Sequence, residues 1–178
     1  LEQLYHVAPI YEPGGSPPFR AGQVSVSPER ILTMDQGLSN LVILPVDTGL
    51  QARAQKGETS PAVGWYGLLG EHPAWDVTLE RRATLPARMD AVLFPMAPGS
   101  DVHPQVERLL STPEATAFRI TGAGLDDTFV LCEEGCGPVE VAGVKFEGRA
   151  LLLRRQPSLK ALSVGARSVV VDGTRLGG

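Results

Sequence analysis

The chain is short of most residues that carry chemistry. Its 178 residues include three histidines, two cysteines, two tryptophans and three tyrosines, and aromatics make up 6%. The histidines His6, His72 and His103 form no pair at metal-ligand spacing, whether i, i+4 on a helix or i, i+2 on a strand. Two thiols fall short of a structural zinc site, which takes four ligands. Lys and Arg number 16 against 20 acids, for a formal charge of −4. Such a balance offers no field for nucleic acid or for an anionic membrane surface. No apolar run approaches the about 20 residues that a membrane-spanning helix needs. A nucleophile elbow, a phosphate loop and a dinucleotide fingerprint are also missing, since Gly122-Ala-Gly124 leads into no helical pattern.

What the chain has instead is punctuation. Twenty glycines and 15 prolines are spread along its whole length, and hydrophobic residues reach 43%. That combination reads as many short strands joined by turns around a real core. Val24 and Val26 alternate with polar neighbours, as do Leu50, Ala52 and Ala54, and Trp75, Val77 and Leu79. This is period two, the signature of a strand with one wet face. The run 41–46 is continuously apolar, as in a strand buried on both sides. Residues 104–118 are the best helix candidate, with one helical turn and a further strand left as equal alternatives. Residues 116–121 and 128–131 predict a hairpin around Gly122–Asp127. The expected fold is therefore all-β: a large antiparallel two-sheet β-sandwich with at most one short helix, forming one domain over residues 1–178. The chain opens on Leu1, and the expectation is that it is the C-terminal part of a larger protein.

The stretch 58–98 holds both tryptophans and two alternating runs, broken at Leu85-Pro86. It predicts a loop feeding a broad hairpin, with Trp75 in the core. Trp65, Tyr66 and Tyr11, with Arg20, are the candidate substrate contacts, because aromatic faces suit sugar C–H faces and a guanidinium suits a carboxylate. Arg81-Arg82 and Arg154-Arg155 are basic doublets that could meet an anionic saccharide or simply be solvated. The acid pairs Asp126-Asp127 and Glu133-Glu134 fall in predicted turns, where charges are usually solvated. Cys132 and Cys136 are spaced for either a small disulfide loop or two free thiols.

Several of these segments share a family pattern. Gly64-Trp65-Tyr66-Gly67, a short gap, Glu71-His72-Pro73, an alternating strand, Leu85-Pro86 and a run ending in Phe94-Pro95 resemble the C-terminal β-sandwich domain of heparinase II/III-like polysaccharide lyases. The opening Leu4-Tyr5-His6-Val7-Ala8-Pro9 is similar to that family's Phe/Trp-His strand. The segment from Leu162 to Gly173 resembles its closing strands. Residues 63–67 depart from the family's order ahead of Tyr-Gly. The resemblance implies a full-length lyase that cleaves uronic-acid polysaccharides by β-elimination. Its Tyr and His base and acid come mainly from an N-terminal helical toroid. On that basis no catalytic residue is expected in this chain, which alone should be inactive. Its partners would be the toroid of the same chain and an acidic polysaccharide, with no nucleic acid and no membrane, in a periplasmic or secreted setting. No cofactor is expected here, although zinc is implied for the full-length protein, with His6 as the one matching ligand. The alternative reading is a non-catalytic carbohydrate-binding or structural interaction module.

Overall fold

The computed structural model describes residues 1–7, 10–11, 14–15, 19–66, 72–85, 87–122, 124–133 and 136–176, with the backbone alone at His6, Tyr11, Phe19, Arg20 and Tyr66. Among these the protein is all-β, with only antiparallel sheets and no helix. The chain divides into two compact units, Leu1–Asp101 and Val102–Gly178. Each has its own two larger sheets and its own core.

In the first unit, β1 (Glu2–Val7), β6 (Trp75–Glu80) and β5 (Gln51–Lys56) form a three-stranded sheet with β6 in the middle. A second sheet runs β7 (Ala91–Met96), β4 (Asn40–Pro45), β3 (Arg30–Thr33), β2 (Val24–Ser27). Ile31 and Ile43 of one sheet pack with Val77 and Leu79 of the other, all almost wholly buried. Fully burying each such side chain contributes about 1.5–3 kcal/mol. The alternation in β5 and β6 explains the packing, since one face of each strand is apolar and turns inward. The continuous run in β4 is buried on both sides at Val42, Ile43 and Leu44.

The expected hairpin between residues 74–82 and 87–94 does not form. β6 pairs with β1 and β5, whereas β7 pairs with β4 in the other sheet. The connection between them crosses from sheet to sheet and is held by side chains rather than by a ladder. Asp47 takes both of its ends: Oδ1 accepts from Arg81 Nη1 at 2.8 Å and Oδ2 from the Asp90 amide at 2.8 Å. Gln3 Nε2 donates to Met89 O at 3.0 Å.

In the second unit, β8 (Gln105–Ser111), β9 (Ala115–Gly122), β10 (Leu125–Cys132), β13 (Ala150–Arg154) and β14 (Lys160–Val164) form one sheet in that order. The other contains β11 (Val139–Val141), β12 (Val144–Glu147), β15 (Ser168–Val171) and β16 (Thr174–Arg175). Ala117, Val130, Leu151 and Leu153 face Val144, Phe146, Val169 and Val171 across one cluster. On the opposite face of the larger sheet, Phe118 lies directly across from Phe129, with stacked rings 5.1 Å apart. The helix candidate at 104–118 resolves as strands β8 and β9. A β-bulge between Arg108 and Leu110 lets Leu109 and Leu110 both lean on the core.

Candidate functional site

The candidate site lies at the end of the first unit, where β5 runs out at Lys56. Gly57 turns the chain, and Glu58–Thr59 pairs with Ala62–Val63. The chain then returns through Gly64 to a second ladder, Trp65–Tyr66 with His72–Pro73, and enters β6 through Ala74. Gly64 is the pivot. Its carbonyl accepts from the amides of Gly57 (2.9 Å) and Ala74 (2.8 Å), closing both ladders on one atom. Its φ is +72°, and a Cβ there would lie 2.8 Å from Lys56 Cα and 2.9 Å from the carbonyl oxygens of Ala74 and Gln55. Only glycine combines that backbone conformation with that approach.

The two tryptophans are fixed differently. Trp65 is half-buried, and its indole N–H donates to Glu58 O at 2.7 Å, which sets the ring against the short ladders. Trp75 packs against the core, and its N–H donates to Gly22 O at 2.7 Å, tying residues 20–22 to the start of β6. Lys56 Nζ sits 4.9 Å from the centre of the Trp75 ring, within range of a cation–π contact. Lys56 was not among the residues singled out from the sequence. Its signal is only its position as the last residue of β5, ahead of Gly57.

Of the predicted substrate contacts, Trp65 alone is described with its side chain. Tyr66, Tyr11 and Arg20 are placed by backbone, and their side chains lie outside the described residues. Ile10–Tyr11 pairs with Phe19–Arg20, and the backbone of Phe19–Arg20 runs close to that of His72–Pro73. Through His72–Pro73 the two ladders, and so all four candidate positions, come into one neighbourhood. Tyr5, on β1, is half-buried with its hydroxyl donating to Gln3 Oε1 at 2.9 Å. Burial raises its pKa, so it remains a neutral phenol.

His6, the candidate zinc ligand, stands opposite Asp76 in the β1–β6 ladder, and its side chain lies outside the described residues. An imidazole and a carboxylate are donors that zinc accepts, but they are two of four. No group of three or more His, Cys, Asp or Glu able to hold a metal occurs among the described residues.

The basic doublets are engaged within the fold. Arg81 bonds Asp47, and Arg154 makes a two-pronged contact with Asp127 at 2.7 and 2.8 Å. Arg155 donates to Thr128 Oγ1 and to Ala142 O, both at 2.9 Å. Arg82 is exposed. Asp126 and Asp127 do not sit in a turn as expected, because the hairpin is tighter, with Gly122 opposite Leu125. Asp126 pairs with Arg119 at 2.7 and 2.8 Å, and Asp127 is buried beneath Arg154. The Arg119 guanidinium holds the Asp126 carboxyl below the usual range. These are structural pairs on the larger sheet of the second unit.

No family model, curated protein or solved structure matches the chain.

Proposed function

We propose that the chain is the C-terminal β-sandwich part of a heparinase II/III-like polysaccharide lyase, walling one side of a cleft for a uronate-bearing polysaccharide. One observation carries the reading. Two of the segments that bear the resemblance are neighbours in space: β1 with Tyr5-His6 pairs residue for residue with β6, the strand that follows the Gly-Trp-Tyr stretch. The ladders bearing Trp65, Tyr66, Tyr11 and Arg20 meet beside the start of β6. In this reading Trp65, held by its bond to Glu58, offers an aromatic surface to a sugar ring. Arg20 and Lys56 supply positive charge for a uronate carboxylate. Proton removal and carboxylate neutralisation during β-elimination belong to an N-terminal helical toroid of the same chain.

The test is a fluorescence titration of the protein with alginate-type, heparin-type and neutral oligosaccharides. Both tryptophans lie in the first unit, so the signal reports that region. Uronate oligosaccharides should shift the emission, with weaker binding at higher salt. Trp65→Ala should lower affinity about tenfold, the equivalent of about 1.4 kcal/mol. No response to any saccharide would remove the cleft-wall reading. Rapid formation of unsaturated product by this chain alone would overturn the assignment of catalysis to the toroid.

A further inference from the structure

Two half-buried thiols stand at the end of β10. Cys132 is its last residue, and its amide donates to Arg149 O at 2.8 Å, anchoring it to the sheet. The Cys136 amide donates to Glu133 O at 3.1 Å, turning the chain back within four residues. Both side chains lean on the core between the two sheets of the second unit. Both thiols are free, and the Cys136 sulfur is near enough to help hold the Cys132 thiol protonated. Cys136 Sγ also contacts Gly137 O at 3.2 Å. No other cysteine occurs in the chain, so neither thiol has a competing intramolecular partner.

We propose that Cys132 and Cys136 form a dithiol site that a small-molecule disulfide oxidises to an intramolecular disulfide, stapling the connection from β10 to β11 over the core of the second unit. The exchange has two steps and a fixed order. The Cys136 thiolate attacks one sulfur of the oxidant, whose other half leaves as a thiolate. Cys132 Sγ then loses its proton to solvent and attacks the Cys136 sulfur, forming the protein disulfide and expelling the second thiolate. Two protein thiols are oxidised, and one external disulfide is reduced to two thiols. The order follows from the surroundings of Cys132. Burial, and then the neighbouring Cys136 sulfur, push its thiol up to about 12, so it is scarcely ionised until the partner sulfur has reacted. The staple would join the last residue of β10 to Cys136, both of which already pack against the core of the second unit.

The experiment equilibrates the whole chain with glutathione and glutathione disulfide over a range of ratios, traps remaining thiols by alkylation and weighs the protein. The expected product is a monomer lighter by two hydrogen atoms, unalkylated and without a lasting glutathione adduct. A faster approach to the mixed disulfide in Cys132→Ser than in Cys136→Ser would support the order of attack. Doubly alkylated protein at every ratio, persistent mixed disulfides or disulfide-linked dimers would overturn the site. The mass readout on the unmodified chain stands even if a serine variant fails to fold.

Discussion

Leu1–Asp101 and Val102–Gly178 build the same two-layer arrangement around different centres. In the second unit ten described side chains make one buried cluster, with Phe146 wholly enclosed and small or branched residues around it. In the first, four buried aliphatic residues form the cluster, with partly buried side chains such as Tyr5, Trp75 and Met89 packed against it and further buried residues such as Val42, Leu44 and Met96 outside it. The first unit is also where short ladders, indole N–H bonds and a glycine pivot gather at one end. The difference separates two uses of apolar residues. The second unit encloses the ring of Phe146 at the centre of its cluster. The first leaves Tyr5, Trp65 and Trp75 only partly buried, each with a polar atom bonded to backbone or a neighbour. The candidate site lies in the unit whose central cluster has fewer fully buried members, where local opening is expected to be easier.

The strongest way to break this comparison is to make the same truncation in both cores. Leu153→Ala and Leu79→Ala remove the same atoms from wholly buried positions. Truncations of this kind cost about 2–5 kcal/mol, and the spread reflects how well the surroundings collapse. We expect Leu153→Ala near the top of that range and Leu79→Ala near the bottom, since most members of the cluster around Leu79 are only partly buried and can settle into the gap. Amide exchange resolved by segment reads both, and tryptophan fluorescence in urea reads the first unit separately. Equal losses would mean that the two cores are equally tight.

The glycine pivot gives the next effect. Gly64→Ala would add left-handed strain of about 1–2 kcal/mol and an overlap with three backbone atoms costing about 1–3 kcal/mol. The urea midpoint followed by fluorescence should fall accordingly, with a changed Trp65 signal. A midpoint unchanged from the parent would show that the ladders around residues 57–74 form without this close approach.

How far the sequence foretold these features depends on the range of the interactions. Period-two alternation marked β5 and β6, and the run at 41–46 marked a strand buried on both faces, because these patterns are local. The pairing of β6 was not legible. Leu85-Pro86 looks like a hairpin turn, but Asp47 captures Arg81 and the Asp90 amide from a distant part of the chain and makes the segment a crossing. Residues 104–118 drew a helix reading from the good helix formers Gln105 to Leu110, and the pairing with β9 that makes them a strand is tertiary. Gly148 shows another limit. It lies where a Cβ would meet Phe146 Cζ at 2.6 Å, a demand visible only once the ring is placed. At the candidate site, scarce aromatics drew attention to Trp65 and Tyr66. The meeting of their ladder with Phe19–Arg20 is tertiary, and so is the place of Lys56 over Trp75.

A smaller effect sharpens the electrostatic side of the comparison. The hydrogen bond from Arg119 lowers the pKa of Asp126 in the folded state. A carboxyl depressed on folding adds stability that is fully present above its unfolded value, about 3.9, and is lost as pH falls through the lower folded value. The pair is partly exposed, so its contribution is about 1 kcal/mol or less. Asp126→Asn should therefore destabilise the second unit slightly at pH 7 and flatten its loss of stability below about pH 4. Exchange protection in β9 and β10, measured between neutral and acid pH, decides it. An unchanged acid slope would assign that slope to other groups.

The smallest effect has the opposite sign. The turn from β11 to β12 places Ala142 at φ 48° and Gly143 at φ 74°, a two-residue connection with both residues in the left-handed region. Such turns favour Asn-Gly, because Asn tolerates the left-handed region better than Ala. The turn after β15 meets the same demand with Asp172-Gly173, at φ 49° and 80°. Arg155 bonds the carbonyl of Ala142, a backbone contact that a new side chain leaves in place. Ala142→Asn should then stabilise the second unit by about 0.5–1 kcal/mol, less than the full left-handed penalty of about 1–2 kcal/mol per residue. A rise in the denaturation midpoint, read by circular dichroism or by exchange in β11 and β12, would show that the tighter unit still holds local strain. No change, or a loss, would mean that the fold already offsets the strain at Ala142 through the turn's other contacts.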